Sequence, residues 1–215
     1  MGEPYPFPLL TDPVELAKLG EWTADLYRDF EAYRAGQLSE SELRSKYVRR
    51  SAILCLDMTG FTQSAIRVGE LESLLRIHDV QKVCVPVFRS YDARLSRAFA
   101  DDLTALFDDP GHALDAALEV HRRIRLFNGS ALAGPHPAEC CIGIGYGDVF
   151  AIGPDRAMGD EMNRASKLGE DTARAYETLI TENVYAAVKH RTDCEFVVVN
   201  SDDLPFPYYS VVARD

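Results

Sequence analysis

From Ser51 to Met58 the chain is almost wholly apolar and is followed at once by Thr59-Gly60-Phe61-Thr62. A short apolar run closed by a turn signal reads as a buried strand feeding a helix. Upstream, Leu16, Leu19, Trp22, Leu26 and Phe30 recur at three- and four-residue steps, which predicts helix across 13–46 with an interruption at Gly36. Ser39 with Glu42 forms a capping box that opens a short second helix there. Downstream, a long helical stretch runs from near Thr62 to about Tyr91. Strand-like runs at 93–100 and 103–107 follow, separated by Asp101-Asp102. Asp108-Asp109-Pro110 starts another helix, with Ala113, Ala116, Ala117, Val120 and Ile124 on one face. Residues 129–137 read as a loop, and 139–152 as two strands joined at Gly145-Tyr146-Gly147-Asp148. A helix after Gly159, a strand near Leu179, a helix from Glu182 to Lys189 and strands at Phe196 and Tyr209 complete the pattern.

The central order is strand, helix, strand, strand, helix, strand. That order predicts an α+β fold of the ferredoxin-like, split-βαβ kind. Residues 1–48 are expected to form an N-terminal helical extension and 49–215 the main domain. The fold hosts many activities, so function has to be argued from the site.

Composition narrows the classes. A hydrophobic content of 47% and a mean hydropathy of -0.16 suit a folded globular chain. The formal net charge of -11 argues against nucleic acid or an anionic membrane surface as partner. No apolar run reaches the ~20 residues of a membrane helix. The Pro-rich start lacks the basic region of a signal peptide, so a cytoplasmic location is expected. The cysteines (Cys55, Cys84, Cys140, Cys141, Cys194) show no CxxC spacing, and three lie in apolar runs. They read as buried reduced thiols. The scattered histidines offer no zinc pattern.

Chemistry gathers at two strand ends. Asp57 closes the apolar strand, and Asp101 lies between two strands that a split-βαβ sheet can place beside it. Two carboxylates brought together repel unless cations bridge them. Mg²⁺ or Mn²⁺ takes such oxygen ligands together with substrate phosphates. The main-chain N–H groups of Thr59 to Thr62, at a helix start, could cradle a triphosphate. Taken alone, Asp57 could equally cap the helix while Asp101 and Asp102 form a solvated hairpin turn. The apolar flanks favour a site, because carboxylates there are costly unless ligated or solvated.

Leu56-Asp57-Met58-Thr59-Gly60-Phe61-Thr62 resembles the first metal-binding signature of class III adenylyl and guanylyl cyclases. Phe99-Ala100-Asp101-Asp102-Leu103-Thr104-Ala105-Leu106-Phe107 is similar to the second, which usually carries Gly-Asp-Gly. Ile142 to Gly147 resembles the strand and turn that follow. Met158 to Leu168 resembles the helix that bears the family's transition-state residues. The likeness covers about residues 50–190 in consistent order. It implies a homodimer with sites at the subunit interface and a nucleoside triphosphate substrate. Two Mn²⁺ or Mg²⁺ ions would be held by Asp57, Asp101 and the Met58 carbonyl. Asn163 of one subunit would orient the ribose bound on the other, and Lys167 would contact phosphate. Phe61 and Thr62 would lie beside the substrate, with Phe61 packing under the metal loop. The implied reaction is attack of the ribose 3′-hydroxyl on the α-phosphate with loss of pyrophosphate.

The departures bear on the base. Lys167 replaces an Arg, a point charge for a fork, and Ala100 replaces a Gly. Arg97 stands where adenylyl cyclases read the base with Lys, and Arg156 where an acceptor for the adenine amine usually stands. Arginine only donates, so such a pocket suits the carbonyl oxygens of uracil. The combination resembles the bacterial pyrimidine cyclases of anti-phage signalling, in which the cyclic nucleotide activates a separate effector. The expected product is cyclic UMP. The alternatives are a cytidylate cyclase, an ordinary purine cyclase, or an inactive cyclase-like sensing or dimerisation module. Arg97 and Arg156 also admit plain surface roles.

Overall fold

The computed structural model describes residues 7–20, 22–153, 156–200 and 203–214, with the backbone alone at 62–64, 95, 153 and 156. The chain forms two compact units: residues 1–49 with 150–158, and residues 50–149 with 159–215.

In the smaller unit, helices α1 (Pro13–Ala17), α2 (Ala24–Arg34) and α3 (Glu40–Tyr47) each begin on a side-chain cap. The Ser39–Glu42 capping box forms as expected: the Ser39 N–H donates to Glu42 Oε2 at 2.8 Å, and the Glu42 N–H to Ser39 Oγ at 3.2 Å. Asp29 on α2 ties α3 down by accepting from Lys46 at 2.9 Å and Tyr47 at 2.7 Å. The helical periodicity through Leu19 and Trp22 does not survive. Gly20 takes φ +90, and neither Leu19 nor Trp22 lies in a helix. Trp22 instead packs its ring on Tyr27 and Phe30 at centroid distances of 5.4 and 5.5 Å. Ring packing outweighs spacing at this point.

The larger unit is built on one sheet. The chain's strands are β1 (Val48–Met58), β2 (Leu95–Phe99), β3 (Asp102–Phe107), β4 (Cys140–Gly153), β5 (Arg156–Met158), β6 (Thr178–Thr181), β7 (Cys194–Val199) and β8 (Tyr208–Ala213); residues 48–49 of β1, residues 150–153 of β4 and all of β5 fall in the smaller unit. The sheet order is β2-β3-β1-β4-β6-β8-β7, with β5 paired to β4. The segment β2-β3-β1-β4 is the split-βαβ core that the element order predicts. Helices α4 (Phe61–Val68), α5 (Glu70–Ser90), α6 (Pro110–Asn128), α7 (Asp160–Ser166) and α8 (Glu182–Val188) connect the strands. The single long helix expected from Thr62 to Tyr91 is divided in two. Gly69, at φ +89, redirects the chain between α4 and α5.

Residues 139–152 are a second correction. They form one continuous strand, β4, rather than two strands joined at Gly145-Tyr146-Gly147-Asp148. The glycines are strand positions, and the chain reverses only after Gly153, where Phe150 pairs Met158 in β5.

Alternate residues of each strand face opposite sides. Leu54, Leu56, Met58, Leu103, Ala105, Ile142 and Ile144 join Val80, Val87 and Phe88 of α5 in the main core. Ala113, Ala116, Ala117, Val120 and Ile124 of α6 join the same core, so the predicted apolar face of that helix is the buried one. The five cysteines are all buried free thiols.

Candidate active site

The reverse face of the sheet carries Cys55, Asp57 and the odd-numbered residues of β4. In the antiparallel β1–β3 ladder Leu56 pairs Leu103, so the next step sets Asp57 beside Asp102. Asp102 in turn pairs Phe99 of β2, and Thr104 lies between Cys55 and Arg97. Cross-strand partners share a face. One face therefore presents Asp57, Asp102, Thr104, Arg97 and Phe99 together.

The β2–β3 turn is Ala100-Asp101, one residue earlier than expected, and Asp102 is the first residue of β3. Asp102 is accordingly half-buried rather than a solvated turn residue, and its carboxyl is hydrogen-bonded to that of Asp57. Burial, then the charges of Asp102 and Asp101, push the Asp57 carboxyl up to about 7. Burial, then Glu170 and Asp101, push Asp102 up to about 6. The Cys141 thiol lies 3.6 Å from the Asp57 carbonyl oxygen and 3.9 Å from its carboxylate Oδ2. Burial raises that thiol to about 11, which keeps it a thiol.

The adjacent carboxyls of Asp57 and Asp102 offer oxygen donors of the kind a hard divalent cation takes. Among the described residues, no group of three or more His, Cys, Asp and Glu side chains is placed so that it could hold a metal ion by itself. The fit is thus to a cation that shares its shell with substrate oxygens and main-chain carbonyl, as Mg²⁺ commonly does.

Beyond Asp57 the chain passes through Thr59 and Gly60 into α4. Gly60, at φ +65, is the residue before the helix, and no side chain caps the helix start. The Thr59 N–H donates to the Glu139 carbonyl at 2.9 Å. Thr59 is therefore not among the N–H groups available to a phosphate, contrary to the expectation for Thr59 to Thr62. The first-turn N–H groups of α4 remain without intrahelical partners. Phe61 is half-buried and packs against the main core. The side chains of Thr62 and Arg156 lie outside the described residues; Arg156 opens β5 in the smaller unit. Arg97 is half-buried, with its guanidinium 5.4 Å from the centre of the Phe99 ring.

Helix α7 reaches this face by unusually close contact. A Cβ on Gly143 would stand 2.1 Å from the Ala165 carbonyl oxygen and 2.4 Å from the Gly169 nitrogen. On Gly145 it would meet the Glu161 carbonyl oxygen at 2.4 Å, and on Gly147 the Glu161 Cγ at 2.7 Å. A Cβ on Gly169 would likewise stand 2.5 Å from the Cys55 carbonyl oxygen. Glycine at alternate positions of β4 is what lets the helix lie directly on the strand.

Glu161 fixes its orientation. This carboxylate is 7% exposed and accepts from the Tyr146 N–H at 3.0 Å, Thr181 Oγ1 at 2.8 Å and Asn183 Nδ2 at 2.9 Å. Sequence reading missed Glu161, because a Glu in a charged run looks solvated. Past α7 the chain widens into a π-helical turn at Lys167–Thr172. Asn163 and Lys167 are both exposed, four residues apart, and Lys167 Nζ pairs with Asp171 at 2.7 Å.

No family model and no curated protein matches the chain. Solved structures do. The catalytic core of a rhodopsin-guanylyl cyclase with converted specificity, in complex with ATPαS, shares 17% identity over 78% of this chain and 99% of that one, with a TM-score of 0.67. The guanylate cyclase domain of RhGC from Catenaria anguillulae, in complex with GTP, shares 18% over 77% and 97%, with a TM-score of 0.66. The adenylyl cyclase CyaB from P. aeruginosa shares 16% over 78% and 96%, with a TM-score of 0.64. The fold is that of adenylyl and guanylyl cyclase catalytic domains. Among the described residues, no helix is long and apolar enough to cross a membrane.

Proposed function

We propose that the protein is a nucleotidyl cyclase that converts UTP to 3′,5′-cyclic UMP and pyrophosphate, and that the product is a second messenger in anti-phage defence. The observation that carries the cyclase reading is the carboxyl cluster of Asp57 and Asp102, with Asp101 beside it, at the adjoining ends of β1 and β3.

In this reading the bond from the ribose 3′-oxygen to the α-phosphorus forms as the bond from that phosphorus to the bridging oxygen breaks. The electron pair leaves with pyrophosphate, and the 3′-hydroxyl proton is lost. Two divalent cations, Mn²⁺ or Mg²⁺, bound by Asp57, Asp101 and the Met58 carbonyl would supply charge for the attacking and leaving oxygens. Asp102 holds Asp57 in position through their shared hydrogen bond. Asn163 and Lys167 serve the site of a partner subunit in a homodimer, which accords with their exposure. Asn163 orients the ribose. Lys167 leaves Asp171 to meet the phosphate, a charge-assisted contact that grows with transition-state charge.

Arg97 shares the face of Asp57 and is propped on Phe99, and it donates to a base carbonyl. It offers no acceptor for an adenine amine, which supports uracil. The defence role rests on the sequence resemblance to bacterial pyrimidine cyclases and implies a separate effector that reads the cyclic nucleotide.

Incubation with Mn²⁺ and each of the four ribonucleoside triphosphates, followed by mass spectrometry, tests the assignment. Cyclic UMP is expected as the main product. Cyclic AMP or cyclic GMP as the main product would overturn the reading of Arg97, and cyclic CMP would keep the pyrimidine class but not the base. No cyclic product with any nucleotide would sink the reaction itself.

A further inference from the structure

Helix α7 lies on β4 with almost no side-chain relief between them. Glu161, Ala165 and, just past the helix end, Leu168 recur at four- and three-residue steps and are all buried. Asn163 and Lys167 fall between them in the sequence and are exposed. Ala165 comes against Gly143, so the facing side chains there are a methyl and a hydrogen. Interlocking side chains normally fix how one element sits on another, and a contact of alanine with glycine supplies little of that. Glu161 is the polar member of the buried face. Its donors come from three different elements: the Tyr146 N–H of β4, Thr181 Oγ1 at the end of β6 and Asn183 Nδ2 in α8. Tyr146 and Thr181 share Oε2, and Asn183 takes Oε1. These donors are neutral. Arg164 Nε stands 3.9 Å from Oε1 and donates instead to Asp160 at 2.9 Å. A carboxylate buried without a close cation is costly, whereas hydrogen bonds from three directions hold it to one place.

We infer that Glu161 is a positioning residue for the cyclisation: it pins the register of α7 on β4 and so sets where Asn163 and Lys167 stand. The inference rests on the cyclase reading for what Asn163 and Lys167 do, and on the hydrogen bonds of Glu161 for how they are held. Glu161 acts through those side chains without touching the nucleotide. Without it, α7 is free to slide or turn over the glycines beneath. A displacement of about 1 Å in groups that meet the transition state lowers turnover far more than it lowers substrate affinity.

Glu161→Ala, Glu161→Gln and Asn183→Ala separate this role from a merely structural one. Glutamine keeps an oxygen for the Tyr146 and Thr181 donors, and its amide meets Asn183 once the Asn183 amide turns its oxygen inward. Kinetics are read with Mn²⁺ and the ribonucleoside triphosphate that the wild type cyclises, expected to be UTP. Glu161→Ala should lower kcat by about a hundredfold, with KM within about threefold of wild type. Glu161→Gln should restore kcat to within about fivefold of wild type. Asn183 is exposed, and Asn183→Ala, which removes one donor of the three, should cost about threefold in kcat and carries the test if Glu161→Ala fails to fold. Hydrogen exchange by mass spectrometry reads the pin without activity. Exchange across 159–168 should rise in Glu161→Ala and Asn183→Ala, while α6 and β3 keep wild-type rates. Unchanged exchange across 159–168 in the folded variants would overturn the pin. Wild-type kcat, or a rise in KM as large as the fall in kcat, would overturn the positioning role. A wild type that forms no cyclic nucleotide from any triphosphate would remove the cyclase reading, and the exchange alone would then uphold or sink the pin.

Discussion

On the face of the sheet that carries Leu54, Leu56 and Ile142, side chains from α5, α6 and α8 fill the space between layers. On the face that carries Cys55, Asp57 and Gly143, the covering segment comes so near that side chains are omitted from the strand. There the helix backbone touches β4 at Gly143 and Gly145, and the π-helical turn touches β1 at Cys55. The first face gains stability from volume. The second uses an absence of volume to bring polar groups to a fixed place, and it leaves carboxyls half-buried in a state that isolated folding would not favour. The first face should therefore suffer when atoms are removed, and the second when they are added.

Leu54→Ala makes the sharpest test of the filled face. Leu54 is fully buried, so truncation should cost about 3 kcal/mol in urea unfolding, while activity per folded molecule stays near wild type. Gly143→Ala inverts that experiment. One added methyl must displace the Ala165 carbonyl or the Gly169 nitrogen. It should destabilise by roughly 2 kcal/mol and also abolish activity, because α7 carries Asn163 and the π-helical turn after it carries Lys167. A Gly143→Ala protein with normal stability and turnover would erase the distinction between the faces.

A smaller effect separates the faces by pH. The carboxyls of Asp57 and Asp102 are raised to about 7 and about 6, above an ordinary aspartate value of about 4. Between those limits the folded chain holds protons that the unfolded chain has released, so in metal-free buffer their contribution falls as pH rises from about 4 to about 7. On the other side of the β4–β6 pair, His121 is buried against Thr178 at 3.1 Å, and burial lowers it to about 4. Its contribution runs the opposite way, with stability lost as pH falls from about 6.5 to about 4. Wild type minus Asp57→Asn isolates the first trend: the difference in thermal midpoint should shift against wild type as pH rises through that window. A difference that is flat with pH would contradict the raised carboxyl.

The smallest effect lies at the turn. Ala100 is held at φ +50, which a side chain adopts at a cost. Ala100→Gly should stabilise the β2–β3 turn by about 1 kcal/mol, readable as a rise in melting temperature. A loss of stability would show that the methyl makes contacts worth more than the strain.

Much of this contrast was legible before the fold was known, and the filled face more so. The Ala113-to-Ile124 stripe, the Pro110 helix start and the Ser39–Glu42 box follow from periodicity and capping alone. Asp57 stood out because a carboxylate ends an apolar strand. The other face hid itself through its glycines. Gly145 and Gly147 read as a turn, when their alternate spacing with Gly143 within a strand was the signal of a helix lying close above. Buried Glu161 carried no local mark, since its partners Thr181 and Asn183 are distant in sequence. Asp102 was misplaced by one residue at the turn, which separated it from Asp57. The Thr59 N–H was committed to Glu139 by a long-range pairing that no local pattern encodes.

The central claim is that the carboxyl cluster on the closely packed face carries out cyclisation. The most direct measurement is the yield of 3′,5′-cyclic nucleotide from UTP and Mn²⁺, by mass spectrometry, for wild type beside Asp57→Ala. The account predicts cyclic UMP and pyrophosphate from wild type, and a loss of about a thousandfold or more in the variant, with its fold intact by circular dichroism. Equal yields from the two proteins, or none from wild type, would contradict it.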